Sequence, residues 1–262
     1  MSDDIILETY NVRKEFGALV AVADVSIRVV RGTLHSIIGP NGAGKTTFFN
    51  VVSGYLPATS GRIVYNGQDI TQAPMHRRAH VGMGRSFQIT NLFPNLTVLE
   101  NIRLSHQAVG KNSFRLLRSH RRFGEHIDRA DAIINRVGLT RYRDLPARTL
   151  AHGDQRKLEL GMILAADPEM LLLDEPTAGM ASDEVPELMA LIQEIQAEGS
   201  KTVLLVEHNM NVVMNVSDMI TVMHHGEVLA EGTPAEISSN ETVQQAYLGN
   251  LYENLQEASD HA

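Results

Sequence analysis

The chain has 262 residues and a formal net charge of −8, from 23 Lys and Arg against 31 Asp and Glu, and it contains no cysteine. An acidic chain is a poor general nucleic-acid binder, which needs a basic surface, and the lack of cysteine excludes disulfide scaffolds, thiol catalysis and Cys-ligated metal centres. Hydrophobic residues make up 43% and charged residues 21% of the chain, which is typical of a folded globular protein.

Targeting and membrane signals are missing from the sequence. The N-terminus has neither the basic nor the apolar region of a signal peptide. The longest apolar runs fall far short of the roughly 18 residues that a membrane-spanning helix needs. We therefore expect a cytoplasmic protein.

The first predicted elements open an α/β unit. Ile5–Tyr10 and Val25–Val30 are predicted strands, separated by a turn after Phe16. Thr33–Ile38 is the next strand, and a glycine-rich loop and an amphipathic helix over Lys45–Ser53 follow it directly. Strand, loop and helix in this order are typical of an α/β fold.

The glycine-rich loop fits the phosphate-binding P-loop pattern. Its residues are Gly39, Pro40, Asn41, Gly42, Ala43, Gly44, Lys45 and Thr46, and Thr47 follows. Glycines let successive backbone N–H groups curl around phosphates, and the helix that follows adds its positive end. We expect Lys45 to reach the β- and γ-phosphates and the Thr46 hydroxyl to bind Mg²⁺.

The middle of the chain has a different pattern. From about Val98 to Gly138 the apolar residues recur at helical spacing, and no convincing strand is present. We interpret this region as a helical insertion in an α/β core.

Buried strands return after the insertion. Met170–Leu173 and Thr202–Val206 are short runs that are apolar on both sides, with a predicted helix over Glu184–Ala197 between them. Such runs are typical of strands buried on both faces of a parallel sheet. Met219–Met223 and Glu227–Ala230 extend the pattern.

Two carboxylates follow the first of these strands in tandem. Asp174 is predicted at the carboxyl edge of the sheet, where α/β sheets bind ligands. There it would hold Mg²⁺, and Glu175 would polarise a water for attack on the γ-phosphate. A solvated charge at a strand end is the simpler alternative for Glu175, but the upstream P-loop favours an ATPase.

Together these motifs resemble the ATP-binding subunits of ABC transporters, over about Ile5 to Gly249. The resemblance implies an α/β P-loop NTPase (RecA-like) fold with a mostly parallel sheet core, an antiparallel β portion and a helical insertion subdomain. It implies one ABC ATPase domain over 1–249, with its core at about 1–88 and 159–235, its helical subdomain at about 89–158 and a polar acidic tail at 250–262. ATP and Mg²⁺ are the implied ligands.

The resemblance also assigns roles that the residues alone leave open. Phe16 would stack on adenine, although an aromatic residue beside a glycine more often packs in a core. Gln88 would contact the metal and the attacking water, and His208 would contact the γ-phosphate. A lone histidine is otherwise more often a structural residue.

The family's signature loop, which acts on the ATP of a partner subunit, departs here from its common sequence Leu-Ser-Gly-Gly-Gln. The loop falls on Ala151, His152, Gly153, Asp154 and Gln155. Ala151 lacks the usual hydroxyl and His152 replaces a glycine. Either the partner is a different subunit and the two sites are unequal, or the helix N-terminus and Gly153 supply enough N–H donors. A second departure is Ala181, where many members carry an aspartate that contacts the partner.

Three local sequences narrow the resemblance to the LivG-type branch of branched-chain amino-acid importers. They are His-Gly-Asp-Gln-Arg at 152–156, Thr-Ala-Gly-Met at 177–180 and Ala-Tyr-Leu-Gly at 246–249. A closely related branch imports urea and short amides. A lipopolysaccharide-export ATPase and a non-transport cytosolic ABC ATPase are further alternatives.

The resemblance implies several partners and a location. The chain would form a head-to-tail dimer with a second ATPase subunit, as a heterodimer, and would bind two transmembrane permease subunits. A solute-binding protein would act with it indirectly, and no nucleic acid is expected. The assembly would place this chain at the cytoplasmic face of the inner membrane as a peripheral protein.

Overall fold

A computed structural model of the chain describes residues 4–86, 92–109 and 119–247. It divides into two compact units, unit 1 (Met1–Arg78 with Thr202–Ala262) and unit 2 (Ala79–Lys201). The boundaries of the helical subdomain that the family resemblance implies, residues 89 and 158, stay predictions.

Unit 1 contains most of the strands. Its elements are β1 (Ile5–Phe16), β2 (Leu19–Val25), β3 (Arg28–Val30), β4 (Leu34–Ile38), α1 (Lys45–Val52), β5 (Ser60–Tyr65), β6 (Gln68–Asp69) and α2 (Met75–His80, across the boundary). The chain returns to this unit with β9 (Thr202–Val206), α7 (Met210–Val216), β10 (Met219–His224), β11 (Glu227–Gly232) and α8 (Pro234–Ser238).

Unit 2 is mostly helical. Its elements are β7 (Met83–Arg85), α3 (Val98–Val109), α4 (Ser119–Arg136), two 3₁₀ turns (Thr140–Tyr142 and Ala147–Thr149), α5 (His152–Ala165), β8 (Met170–Asp174) and α6 (Val185–Ala197).

An antiparallel sheet in unit 1 has the strand order β2-β1-β5-β6, and β3 also pairs with β1. The single strand predicted over Val25–Val30 is therefore wrong, since β2 ends at Val25 and β3 begins at Arg28. Side chains take over the backbone partners at this break. The backbone N–H of Ile27 donates to Thr9 Oγ1 at 2.9 Å, in place of a regular strand ladder.

A second set of strands in unit 1 carries the glycine-rich loop. β4 lies between β10 and β9, parallel to both, and β11 pairs antiparallel with β10. Every residue of β9 is buried, as its apolar sequence predicts, and every residue of β4 is buried as well, including the polar His35 and Ser36. Because Ile37 pairs with Val206, β4 and β9 end at the same edge, and the residues that follow both strands meet there.

In unit 2 β7 runs parallel to β8, with Arg85 opposite Leu172. The predicted helical middle is confirmed over the described residues, as α3 and α4, which pack on each other and on α5. The fully buried Asn101 of α3 accepts from the backbone N–H of Phe93 at 2.8 Å and donates to the carbonyl of Thr97 at 2.9 Å. No helix within 4–86, 92–109 and 119–247 has both the length and the apolar character to cross a membrane.

Candidate nucleotide site

The P-loop of unit 1 begins at a glycine that no other residue could replace without moving the backbone. Gly39 has φ +153°, and a Cβ there would lie 2.1 Å from the backbone carbonyl oxygen of Met223 on β10. At the far end of the loop, the Gly226 N–H donates to the carbonyl of Ala43 at 3.0 Å. The end of β10 and the turn that follows it therefore lie against the two ends of the loop.

Lys45 is folded back on the loop that it follows. It is only 7% exposed, and its Nζ donates to the carbonyls of Gly39 at 2.6 Å and Pro40 at 3.0 Å. Carbonyl oxygens are weaker partners for an ammonium group than phosphate oxygens, which carry full charge. A phosphate group at the loop would therefore draw Lys45 away from these carbonyls.

The start of α1 is left open to an anion. Among the described residues no side chain caps the helix, its N-cap is Gly44 at φ 93°, and its first turn contains no acidic residue. The first N–H groups of a helix lack internal partners and lie at the positive end of its dipole. The loop and helix therefore fit a phosphate group, and the hydroxyl of Thr46 in the first turn is an oxygen donor of the kind Mg²⁺ prefers.

His208 lies at the edge where β4 and β9 both end. Glu207, the first residue after β9, is fully buried, whereas the His208 side chain is 59% exposed. Asn209 then caps α7 by accepting from the N–H of Asn211 at 3.1 Å. His208 is thus held between a buried residue and a helix cap, with its ring available to a ligand.

Phe16 is the last residue of β1 and is 48% exposed. This exposure argues against packing in a core, and the Lys14 Nζ lies 5.0 Å from the ring centroid. The ring is available for stacking, and its contact with adenine stays a prediction.

In unit 2, Asp174 ends β8 and is 2% exposed. Its backbone N–H donates to the hydroxyl of Ser86 at 3.0 Å, and the Ser86 N–H donates to the carbonyl of Leu172 at 2.8 Å. Ser86 extends the pairing of β7 with β8 by one residue and fixes the backbone of Asp174.

Glu175 has a backbone conformation that residues other than glycine rarely adopt. Its φ is +48°, which costs roughly 1 to 2 kcal/mol for an L-residue. The Ala178 N–H donates to its carbonyl at 3.0 Å and closes a turn. Such outliers concentrate at functional sites, because the surrounding structure must hold the strain. This observation supports the role proposed for Glu175 and was not visible in the sequence.

The predicted metal ligands belong to different parts of the chain. Thr46 belongs to unit 1, Asp174 belongs to unit 2, and Gln88 lies outside the described residues. Over the part of the chain that the structure describes, no three His, Asp or Glu side chains cluster to hold a metal ion. The Mg²⁺ site therefore stays a prediction.

The signature loop forms the start of α5. Ala151 occupies the N-cap position without a side-chain hydrogen bond, and both Ala151 and His152 are exposed. The Gln155 Nε2 donates to the carbonyl of Leu150 at 3.0 Å. Asp154 lies 3.5 Å from the Nζ of Lys157, so its carboxylate is engaged within its own helix.

Glu184 lies beside this loop within unit 2. A Cβ on Gly153 would lie 2.9 Å from Oε1 of Glu184, and the other carboxylate oxygen of Glu184 accepts from the N–H of Ala181 at 3.3 Å. Glu184 thus connects the signature loop to Ala181, the second departure from the family pattern.

Sequence reasoning missed several residues that build the site. Ser86 and Gly226 act on the backbone of Asp174 and on the P-loop, and no short motif marks them. The signal available for Ser86 was its place in the sequence, two residues before the predicted ligand Gln88.

A P-loop between a buried strand and an uncapped helix, with an apolar strand ending in two carboxylates, defines a P-loop NTPase. The family model described as ABC transporter matches residues 22–178. A second model, described as branched-chain amino acid ATP-binding cassette transporter, matches residues 227–251. The chain belongs to the ABC transporter ATP-binding family, and the predicted fold class is confirmed.

Curated relatives and solved structures cover nearly the whole chain. LivG of Escherichia coli K12, named a high-affinity branched-chain amino acid transport ATP-binding protein, is 40% identical over 93% of this chain and 98% of its own length. BraF of Pseudomonas aeruginosa carries the same description, with the same identity and coverage. A crystal structure of the ADP conformation of MJ1267, an ATP-binding cassette of an ABC transporter, matches with TM-score 0.83 and 33% identity, over 94% of this chain and 99% of that one.

Proposed function

We propose that this chain is the ATP-hydrolysing subunit of an ABC importer for branched-chain amino acids. The observation that carries the ATP site is the uncapped start of α1 behind a glycine-fixed loop, with buried Lys45 beside it. The cargo is inferred from the relatives named for branched-chain amino acid transport and from the matching model over residues 227–251.

Each residue has a defined part in this reaction. Lys45 would exchange two carbonyls for the β- and γ-phosphates, and the N–H groups at the start of α1 would hold phosphate oxygens. Glu175 would take the proton of the attacking water, and His208 would contact the γ-phosphate. Mg²⁺, when bound by Thr46, Gln88 and Asp174, would neutralise the charge that develops on the phosphate oxygens.

Replacing Lys45 tests the phosphate site. We expect Lys45→Ala to weaken ATP binding at least 10-fold, because a charged hydrogen bond is worth about 1.5 to 3 kcal/mol. Titration with a fluorescent ATP analogue measures this loss. Arg62→Ala removes a cation from the surface of the same unit and should bind ATP like the wild type. Unchanged binding by Lys45→Ala would remove the basis of the proposed function.

The subunit is proposed to act as a head-to-tail dimer with a different ATPase subunit. A related cassette, MJ0796, is described as dimeric in a post-hydrolysis state bound to ADP and Pi, and it matches with TM-score 0.75 and 26% identity. The exposed start of α5 supports a role across such a dimer. The heterodimer is proposed on the ground of the family resemblance, and the departures at Ala151 and Ala181 agree with two unequal sites.

An exposed apolar patch in unit 2 is the proposed docking place for a permease subunit at the cytoplasmic membrane face. Phe93, Leu96 and Leu145 are 50%, 36% and 45% exposed. They lie on two segments held together by backbone bonds, in which the Val98 N–H donates to Leu145 at 3.1 Å and the Ala147 N–H donates to Leu96 at 2.9 Å. Large apolar side chains grouped in this way mark interaction surfaces.

A pull-down of the tagged chain from detergent-solubilised membranes tests the assembly. We expect two multi-span proteins and a second ATPase, and we expect Leu145→Asp to lose the multi-span proteins while it still binds ATP. Tyr55→Asp, at an exposed aromatic residue of unit 1, is the control. Recovery of ribosomal or DNA-bound proteins without permeases would contradict the transport function. The accompanying solute-binding protein, assayed with leucine, isoleucine, valine and urea, then identifies the cargo.

A further inference from the structure

A buried arginine of α5 contacts the segment that follows Glu175. Arg156 is 8% exposed, and its Nη1 forms an ion pair with Oε2 of Glu159 at 2.8 Å, one turn further along the same helix. Its Nη2 donates to the backbone carbonyl of Ala178 at 3.3 Å. A planar guanidinium can bind two acceptors at once, because its N–H groups point in fixed and different directions. Arg156 therefore joins α5 to a residue 22 positions later in the chain.

The carbonyl that Arg156 binds belongs to the turn that holds Glu175. The N–H of Ala178 donates to the carbonyl of Glu175 at 3.0 Å, and Glu175 has the left-handed φ of +48°. An uncommon backbone conformation persists only where the surrounding structure holds it in place. Two hydrogen bonds, one at each polar group of Ala178, therefore connect the guanidinium of Arg156 to the backbone of Glu175.

The guanidinium lies in a pocket that also contains the neighbours of Glu175 in the chain. Residues of α5, β8 and α6 line this pocket together with the residue after Glu175, and they include Arg156, Glu159, Leu173, Asp174, Pro176 and Ile192. A hydrogen bond from a charged donor is about twice as strong as one between neutral groups, and low-dielectric surroundings strengthen it further. The bond from Arg156 to Ala178 is therefore suited to hold the turn.

A second contact joins the same two segments at the surface. A Cβ on Gly179 would lie 3.3 Å from Cε1 of His152, so the His152 ring lies beside the backbone of Gly179. His152 is exposed, whereas Arg156 is buried. Of these two links between α5 and the turn, the one through Arg156 is therefore the one with which solvent competes less.

We propose that Arg156 is a positioning residue for ATP hydrolysis: its hydrogen bond to Ala178 keeps the turn of Glu175 in the conformation that hydrolysis requires. This inference rests on the proposed function, in which Glu175 is the general base. Arg156 acts through the backbone of Ala178 and touches neither ATP nor metal in this role. A base that spends less time in the productive geometry lowers kcat in proportion. ATP affinity, which depends on the P-loop of unit 1, stays the same.

The test is Arg156→Lys in the assembled transporter. Lysine keeps a positive charge beside Glu159, but its single ammonium group does not reproduce the fork of the guanidinium. We expect kcat to fall about 10-fold at unchanged ATP affinity, since misplacing a catalytic group by 1 Å can cost about 100-fold. Arg103→Lys is the matched control and should leave kcat unchanged, because Arg103 of α3 pairs with Glu100 at 2.7 Å in the same i,i+3 arrangement.

Combining Arg156→Lys with Glu175→Gln shows whether Arg156 acts through Glu175. If it does, Arg156→Lys slows hydrolysis in the wild type and has no further effect on the residual single-turnover hydrolysis of Glu175→Gln, because residues that act as a unit are not additive. An equal fold-loss in both backgrounds would mark Arg156 as a merely structural residue and overturn the inference.

Hydrogen exchange at the Ala178 amide tests the link without any ATPase activity. We expect faster exchange in Arg156→Lys than in the wild type, and no change in Arg103→Lys. Unchanged kcat in Arg156→Lys would overturn the inference, whether or not the exchange changes. Glu175→Gln separates the two proposals: normal hydrolysis by Glu175→Gln contradicts the proposed base itself. If Glu175→Gln is inactive and Arg156→Lys is not impaired, only the role of Arg156 fails.

Discussion

Two helix starts in this chain, one in each unit, offer the same physical device in different settings. Neither α1 nor α5 has a side-chain cap among the described residues, so at both starts the place of a capping oxygen is open to a ligand. The first turn of α1 contains Lys45 and no acid, whereas that of α5 contains Asp154. The difference fits one helix that grips phosphate with its own lysine and another that adds N–H groups to a partner's phosphate.

The glycines of the two loops are constrained by different kinds of neighbour. At Gly39 the obstacle to a side chain is a backbone carbonyl at 2.1 Å, which cannot move without shifting β10. At Gly153 the obstacle is the end of the Glu184 side chain at 2.9 Å, which can rotate away. The P-loop therefore tolerates no substitution at its first residue, whereas a side chain at Gly153 requires only that Glu184 move.

The largest expected effect is on the rate of ATP hydrolysis. It separates ATP binding by the P-loop of unit 1 from catalysis by Glu175 of unit 2. Glu175→Gln should bind ATP normally and hydrolyse it about 10²- to 10⁴-fold more slowly, which is the usual contribution of a general base. Steady-state phosphate release beside an ATP-binding titration measures both quantities. Glu169→Gln, an exposed glutamate just before β8, is the control and should leave turnover unchanged. Near-normal hydrolysis by Glu175→Gln would assign the base elsewhere.

Acid should weaken unit 1 through a histidine beneath the P-loop. His35 of β4 is 1% exposed, its Nε2 lies 2.7 Å from Thr221 Oγ1, and burial lowers the pKa of His35 to about 4. An unfolded histidine binds its proton near pH 6.5. The unfolded state therefore gains a proton first, and stability present above pH 6.5 falls by about 3 kcal/mol as the pH drops toward 4.

Denaturant titrations between pH 7 and pH 4 measure this loss, with His35→Leu as the comparison. Burial raises the pKa of Glu231, which accepts from Thr221 at 3.0 Å, and this carboxyl shifts stability in the opposite direction. The variant keeps Glu231 and removes only the imidazole, so the difference between the two curves isolates His35. Parallel curves would show that His35 does not control acid stability.

A pair of substitutions tests the comparison of the two glycines directly. Gly39→Ala should lower the free energy of unfolding by at least about 2 kcal/mol and abolish ATP binding, because the added methyl group meets backbone. Gly153→Ala should change stability by less than about 1 kcal/mol, since Glu184 can adopt another rotamer and alanine favours the helix. Equal losses in the two variants would show that the loops are equally rigid.

Patterns that repeat over several residues were predictable from the sequence. The buried strands β8 and β9 consist almost wholly of apolar residues, and α1 follows a motif whose glycines are required for steric reasons. The antiparallel strands β5 and β6 were missed, because their alternation is short and mixed with polar residues.

The parts of the site that sequence could not supply depend on long-range contacts. Ser86 lies 88 positions before Asp174 in the chain, and its hydrogen bond with the Asp174 N–H follows only from the pairing of β7 with β8. The left-handed backbone of Glu175 is likewise invisible, because glutamate gives no local signal for it. Resemblance to a family supplied roles for Phe16 and His208 that periodicity alone left open.

The smallest expected effect concerns the missing hydroxyl of the signature loop. Ala151→Ser would restore an N-cap acceptor at the start of α5, which is worth about 1 kcal/mol of helix stability. Ala190→Ser, at an exposed position inside α6, is the matched control and should cost a few tenths of a kcal/mol, since serine is a poorer helix former. If the N–H groups of α5 already suffice, Ala151→Ser raises the melting temperature and leaves ATP turnover of the assembled transporter unchanged. A clear rise in turnover would mean instead that the natural alanine weakens the site that this loop completes, and that the two sites of the dimer are unequal.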